Sequence, residues 1–271
     1  MNRQISLVCL LLCLFLPITS HSATIKVAVA ANFKHTLKQL KPVFEKQFGH
    51  KIKIISAGTG QLANQVLQGA PFDIFLAANK KHPNILFEKI KDRRKLTASA
   101  LQVYALGRLA LYSHKPFLQQ SLLKVLNKAN LNKLAVANPR MAPYGLAARQ
   151  TLQYLKLDKT LTPNKVTGQN VVQVYQFVHT QNVDVGFVAY SMVKDAPAAQ
   201  VLLVPENYHD AIEQMGLLLN NEKPSRQFMT FLSSTTAQDI IQAQGYRLPA
   251  LDTAIKRKVN QGTVTQGAAT H

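Results

Sequence analysis

One pattern restricts the fold of this chain more than any other: an apolar strand that stops at a small polar residue and runs straight into an amphipathic helix, again and again. The first instance is Ile25-Lys26-Val27-Ala28-Val29-Ala30-Ala31-Asn32-Phe33, after which Leu37, Leu40, Phe44 and Phe48 recur near helical spacing with lysines between them. Asn32 stands where an N-cap belongs. A junction of this kind aims unpaired N–H groups and partial positive charge past the strand end, which suits an anion. One such junction usually does no more than start a helix. Its recurrence is what gives it weight.

Gly49 closes the first helix, and Pro42 inside it is expected to kink or split it. A second strand, Ile52 to Ser56, meets Ala57-Gly58-Thr59-Gly60 before a helix from Gln61 to Gln68. Glycines beside Thr59 let the backbone approach a ligand, and Thr59 adds a hydroxyl and an N–H at the helix start. Ile74 to Ala78 form a third strand, with Asn79 capping a helix over roughly 82–90. Such alternation predicts an α/β architecture with a mainly parallel sheet covered on both faces, where ligands sit beyond the carboxyl ends of the strands.

Strands near 100–106 and 109–112 flank Gly107, a candidate crossing into a second unit where the pattern restarts. There Leu134 to Ala137 lead through Asn138-Pro139 to Met141-Ala142-Pro143-Tyr144-Gly145 and a helix ending at Leu155. Lys165-Val166-Thr167 precede Gly168-Gln169-Asn170, which caps a helix carrying Val171, Val174 and Val178; Asp184 to Ala189 form the next strand, closed by Tyr190-Ser191. Leu202 to Pro205 read as the return crossing, and Met215 to Leu219 with helices near 224–232 and 235–244 complete the first unit. The expected organisation is two units, the first discontinuous in sequence. Residues 23–106 and 205–248 make the first lobe, 107–204 the second, and 249–271 a small, polar and basic flexible tail.

Residues 1–22 have their own logic: Arg3, an apolar run from Ile5 to Leu16, and Ser20-His21-Ser22 as a cleavage site form a secretory signal peptide, too short to anchor. Both cysteines, Cys9 and Cys13, lie within it, and the bulky Leu12 argues against acylation at Cys13. The mature chain therefore has no thiol chemistry and is expected to be exported, which the resemblance below narrows to the periplasm. The formal charge of +19 is extreme. Its lysines are scattered over polar helix faces, and the densest run, Lys89 to Lys95, has no interleaved aromatics, so it reads as a solvated basic surface without a nucleic-acid partner.

Catalysis has little to stand on. The eight histidines show no metal-ligand spacing, no carboxylate orients His35, and no nucleophile elbow or phosphate loop is present. None of the thirteen acidic residues forms a close pair at a strand end. No enzyme, metal centre or cofactor is expected. What remains is a set of neutral donors: Asn32, Thr59, Tyr144 and the N–H groups near Val171 and Ala189. At about 1.5–3 kcal/mol per charge-assisted hydrogen bond, five or six suffice for micromolar capture of a small dianion, about −8 kcal/mol.

In order along the chain, Val27 to Phe33, Gly58-Thr59-Gly60, Gly69-Ala70-Pro71-Phe72-Asp73, Ala142-Pro143-Tyr144-Gly145, and Tyr175-Gln176-Phe177-Val178 followed by Gly186-Phe187-Val188-Ala189 resemble the periplasmic molybdate-binding proteins of ABC importers over about residues 24–247. The resemblance implies two α/β lobes on a hinge, molybdate or tungstate as ligand, delivery to a permease in the inner membrane, and a monomer. Carried over by position, it implies Ala31, Asn32, Thr59, Tyr144 and Val171 as the ligand-contacting residues. In some members a Tyr just after the Gly186-Phe187-Val188 strand also touches the oxyanion; here that position is Ala189, with Tyr190 next. Many members have Ser where Asn32 and Thr59 stand and Asp at Asn79, and their first helix lacks Pro42. Sulfate or phosphate is the alternative ligand. Rival classes are a periplasmic enzyme on the same scaffold, or a basic adhesion or nucleic-acid module whose affinity collapses with salt.

Overall fold

The computed structural model describes residues 22–117, 120–127, 131, 133–161 and 164–249. The expected signal peptide, apart from Ser22, and the expected tail, apart from Pro249, lie outside them. Two five-stranded sheets organise the chain. The first contains β1 (Thr24–Ala30), β2 (Lys51–Ala57), β3 (Ile74–Ala77), β4 (Leu101–Gly107) and β10 (Ile212–Leu218); the second contains β5 (Leu109–Ser113), β6 (Leu134–Ala137), β7 (Lys165–Gly168), β8 (Val185–Ala189) and β9 (Val201–Leu203).

The two sheets share one plan, with orders β2-β1-β3-β10-β4 and β7-β6-β8-β5-β9. In the first, β1 pairs in parallel with β2 and β3, while β10 runs antiparallel to β3 and β4. In the second, β6 is parallel to β7 and β8, while β5 is antiparallel to β8 and β9. The sheets are therefore mixed. Their parallel parts are the strand–helix alternation read from sequence, and the antiparallel strands are those that carry the chain between lobes.

Eight α-helices flank the sheets among the described residues: α1 (Lys34–Phe48), α2 (Thr59–Leu67), α3 (Lys81–Arg94), α4 (Leu122–Leu126), α5 (Pro143–Tyr154), α6 (Val171–His179), α7 (Lys223–Leu232) and α8 (Thr235–Ala243). Every residue of β3, β6 and β8 is buried, as strands covered on both faces must be. Each lobe has its own core, with Phe33, Phe44, Phe75, Phe228 and Phe231 in the first and Phe187, Leu111 and Val174 in the second. Phe44 stands edge-on to Phe228 at 5.2 Å between ring centroids, locking α1 to α7.

Two local expectations change. α1 runs unbroken through Pro42. That residue lies on the exposed side, where water can bond the carbonyl that the ring leaves unpaired, so no split follows. Second, Val201–Leu203 is the edge strand of the second sheet, paired with β5, so the return crossing begins after it. The chain thus crosses between the sheets at Gly107-Arg108 and at residues 204–211, and beside the first crossing Leu106 and Arg247 exchange both backbone hydrogen bonds at 2.7 and 2.9 Å.

Candidate functional site

Four helical N-termini open beyond the carboxyl ends of β1, β2, β6 and β7, two from each lobe. The first four N–H groups of a helix have no intrahelical acceptor, so each start is a small cluster of donors with partial positive charge.

β1 passes directly into a 3-10 turn, Ala31–Phe33, that continues as α1. Ala30 is the residue at its N-cap, and no side chain caps it. The expected capping role of Asn32 is therefore corrected. Asn32 is buried, and its side-chain amide turns inward to donate to Gln214 Oε1 and Tyr246 Oη, both at 3.1 Å. What the turn presents beyond β1 is backbone, the N–H groups of Ala31 and Asn32.

Gly58 is extended (φ −64°, ψ 144°), and Thr59 begins α2. The buried Thr59 hydroxyl accepts the Ala78 N–H at 3.2 Å, which leaves its own proton to donate into the cleft. Across the cleft, Pro143 occupies the first turn of α5. Proline has no N–H, so the leading amide of α5 is that of Tyr144. Asn170 caps α6 by accepting the N–H groups of Val172 and Gln173 at 2.9 and 3.2 Å, so the amide in front of the cap is that of Val171.

The lobes meet around these starts. Gly60 N–H donates to the Met141 carbonyl at 3.3 Å, α6 packs against the Ala31–Phe33 turn, and a Cβ on Gly58 would touch Asn170 Cβ at 3.5 Å. Asn32, Thr59, Tyr144 and Val171 are all buried, and none of the five candidate residues carries a charge. The chemistry available is donation by neutral, largely buried groups. Among the described residues, no group of three or more His, Cys, Asp or Glu is placed to hold a metal ion.

The phenols at the back of the cleft stay neutral. Burial pushes the Tyr144 and Tyr104 hydroxyls well above the ordinary tyrosine range, and Tyr246 is raised by burial too. Neighbouring phenols push Tyr144 further up, against smaller opposing effects of hydrogen bonds with Asn32 and Gln214. Ala189 is fully buried, and the Tyr190 ring lies beneath the Arg108 guanidinium, 4.8 Å away, and beside Gly245. The Tyr190 N–H donates to the Arg108 carbonyl at 2.9 Å.

Sequence reasoning missed Gln214, Tyr104, Tyr246 and Ser191, which form the polar floor behind these donors. One signal was available: Gln214 occupies an inward position of β10, in phase with Ile212, where an apolar residue belongs.

Replacing Thr59 by Val tests the second junction. The change is nearly isosteric, orphans the buried Ala78 N–H and deletes one donor. We expect about 1–3 kcal/mol less stability in thermal unfolding and at least tenfold weaker oxyanion binding by calorimetry. Unchanged affinity would remove Thr59 from the site.

The bacterial extracellular solute-binding protein family matches residues 25–247 of the chain. The chain is 37% identical to the molybdate-binding protein ModA of Azotobacter vinelandii over 84% of its own length and 92% of that protein's. It is 35% identical to the molybdate-binding protein ModA of Rhodobacter capsulatus over 81% of this chain and 86% of that one. The solved structure of the Azotobacter vinelandii periplasmic molybdate-binding protein superposes with a TM-score of 0.76 at 34% identity, covering 83% of this chain and 99% of that one. With both lobes and the cleft between them inside the matched span, the chain belongs to the bacterial extracellular solute-binding protein family.

Proposed function

We propose that this protein captures molybdate or tungstate between its lobes and delivers it to the permease of an ABC importer in the inner membrane. The observation that carries this is the set of four facing helical N-termini, whose donors are the N–H groups of Ala31, Asn32, Thr59, Tyr144 and Val171 with the Thr59 hydroxyl. The molybdate-binding relatives support the same ligand. A protonated oxyanion is at a disadvantage here. None of the five candidate residues is a carboxylate or other anionic acceptor, so a ligand proton meets no charged partner among them. That favours a permanent dianion over hydrogen phosphate.

In this reading the lobes comprise residues 23–106 with 205–248, and 107–204, a division the two sheets support apart from Gly107, which ends β4 of the first sheet. The mature protein works in the periplasm as a monomer, after loss of residues 1–22, with no catalytic step and no nucleic-acid partner. No helix among the described residues is long and apolar enough to cross a membrane.

Isothermal titration with molybdate, tungstate, sulfate and phosphate tests the proposal. Micromolar or tighter binding of the first two, constant from about pH 6 to 9, is expected, because the phenols titrate above the ordinary value of about 10. Heat with sulfate or phosphate alone would overturn it.

A further inference from the structure

Behind the donors, one wholly buried glutamine touches both lobes. Gln214 Oε1 accepts from Asn32 Nδ2 at 3.1 Å and from Tyr104 Oη at 3.2 Å, all within the first lobe. Its Nε2 donates to Tyr144 Oη at 3.2 Å, in the second lobe. A second link runs alongside. Tyr246 Oη donates to the Asn32 carbonyl at 3.0 Å while accepting from Ser191 Oγ, of the second lobe, at 2.9 Å.

The backbone is shaped for this arrangement. Ile212 pairs with Gly107, and the β10–β4 register shifts between Gln214 and Met215, a bulge of the kind that re-aims a side chain. A Cβ at Gly107 would lie 2.3 Å from Tyr144 Oη, so this glycine makes the space the phenol enters. Tyr144 therefore serves twice. Its N–H leads α5 towards the ligand, and its ring plugs the tip into the other lobe between β4 and β10.

We propose that Gln214 is a positioning residue which, with Tyr144, Asn32, Tyr246 and Ser191, forms an inter-lobe latch that holds the closed cleft around the oxyanion. The inference rests on the oxyanion-capture reading. By giving its N–H to Tyr144 and taking one from Asn32, Gln214 fixes the two walls relative to each other without touching the ligand. Breaking the latch shortens the closed state's lifetime but leaves the open site that the anion first meets, so the loss falls on release. Both links must part for the lobes to swing open; the Gln214–Tyr144 link is fully buried, where an unpaired polar group is disfavoured, and the Ser191–Tyr246 link is partly buried.

The chain has eight tyrosines and no tryptophan, so tyrosine fluorescence can follow binding in stopped flow. We expect Gln214→Leu and Tyr144→Phe each to raise koff for molybdate about tenfold, the size of one buried hydrogen bond, with kon within about twofold of wild type. The double variant should be little worse than Gln214→Leu alone, because the one contact that Tyr144→Phe removes is among the three that Gln214→Leu removes. Tyr246→Phe, which keeps the ring, gives an independent reading of the second link should Gln214→Leu fail to fold. A wild type that binds molybdate while Tyr144→Phe and Tyr246→Phe leave koff unchanged would overturn the latch and spare the capture reading. Effects confined to kon, or fully additive ones, would also overturn it. A wild type that binds none of molybdate, tungstate, sulfate or phosphate would overturn both.

Discussion

Asn32→Asp should weaken molybdate binding by at least a thousandfold at neutral pH, the largest loss expected of any isosteric change in this protein. Asn32 is 4% exposed, and its neighbours are the neutral groups of Gln214, Tyr144 and Tyr246. No cation is among these partners to offset a carboxylate. At an effective dielectric of about 20, two unit charges 4 Å apart interact by about 4 kcal/mol, and a dianion doubles the repulsion. A loss of about 4 kcal/mol is already a thousandfold. The substitution also replaces both amide N–H donors by acceptors, setting an oxygen against Gln214 Oε1. Titration calorimetry at falling pH adds a signature. Burial favours the neutral acid, so affinity should recover as the new carboxyl is protonated. Normal binding by the Asn32→Asp variant at a pH where its new carboxyl is ionised would mean that this turn does not border the ligand.

Gly145→Ala should be the most damaging single methyl in the described fold. Alanine in place of glycine inside a helix ordinarily gains about 1 kcal/mol. Here the sign reverses, because the added Cβ would fall 2.2 Å from the Ala137 carbonyl oxygen and 2.6 Å from its carbon, with the Asn138 carbonyl carbon at 3.0 Å. These are backbone atoms at the end of β6 and cannot swing aside as a side chain would. α5 must lift off the strand, at a cost of about 3 kcal/mol, or roughly 6–12 °C in Tm. The residue before it is Tyr144, so its donor moves as well, and oxyanion affinity should drop at least tenfold. Gly58→Ala is the control for stability: Gly58 is extended, and an added Cβ would meet its nearest neighbour at an ordinary 3.5 Å. Equal melting temperatures for Gly145→Ala and wild type would show that α5 has slack.

The helix starts were legible because their chemistry is local. Asn170 accepts from amides two and three residues on, Pro143 supplies a fixed φ where no N–H is needed, and Gly49 adopts φ 70° to end α1. The same local rule misread Asn32, whose amide went to partners 182 and 214 residues away in sequence. No window of sequence contains that competition. β9 was read as linker because three residues carry too little periodicity to separate an edge strand from a crossing. Pro42 was over-weighted since its cost depends on which side of the helix it occupies. Gln214 sat in plain view as a polar residue on an inward strand face, but only the pairing of β10 with β4 puts Gly107 and the Tyr144 tip beside it.

The cleft presents amide N–H groups more than side chains, and that changes how its selectivity can evolve. An amide donor survives replacement of the residue that carries it, so under the proposed capture reading Ala31 or Val171 can be exchanged for other residues that fit without losing the group that would face the anion. What sets the gauge is the distance between strand ends, held within each lobe by the parallel registers Ala30↔Ala57 and Ala137↔Gly168 and between lobes by how far they close. A population drifting towards a larger or smaller oxyanion would accumulate changes at the hinge and at the Gly60–Met141 contact. The residues lining the cavity could meanwhile stay as they are. The skeleton itself works as the caliper.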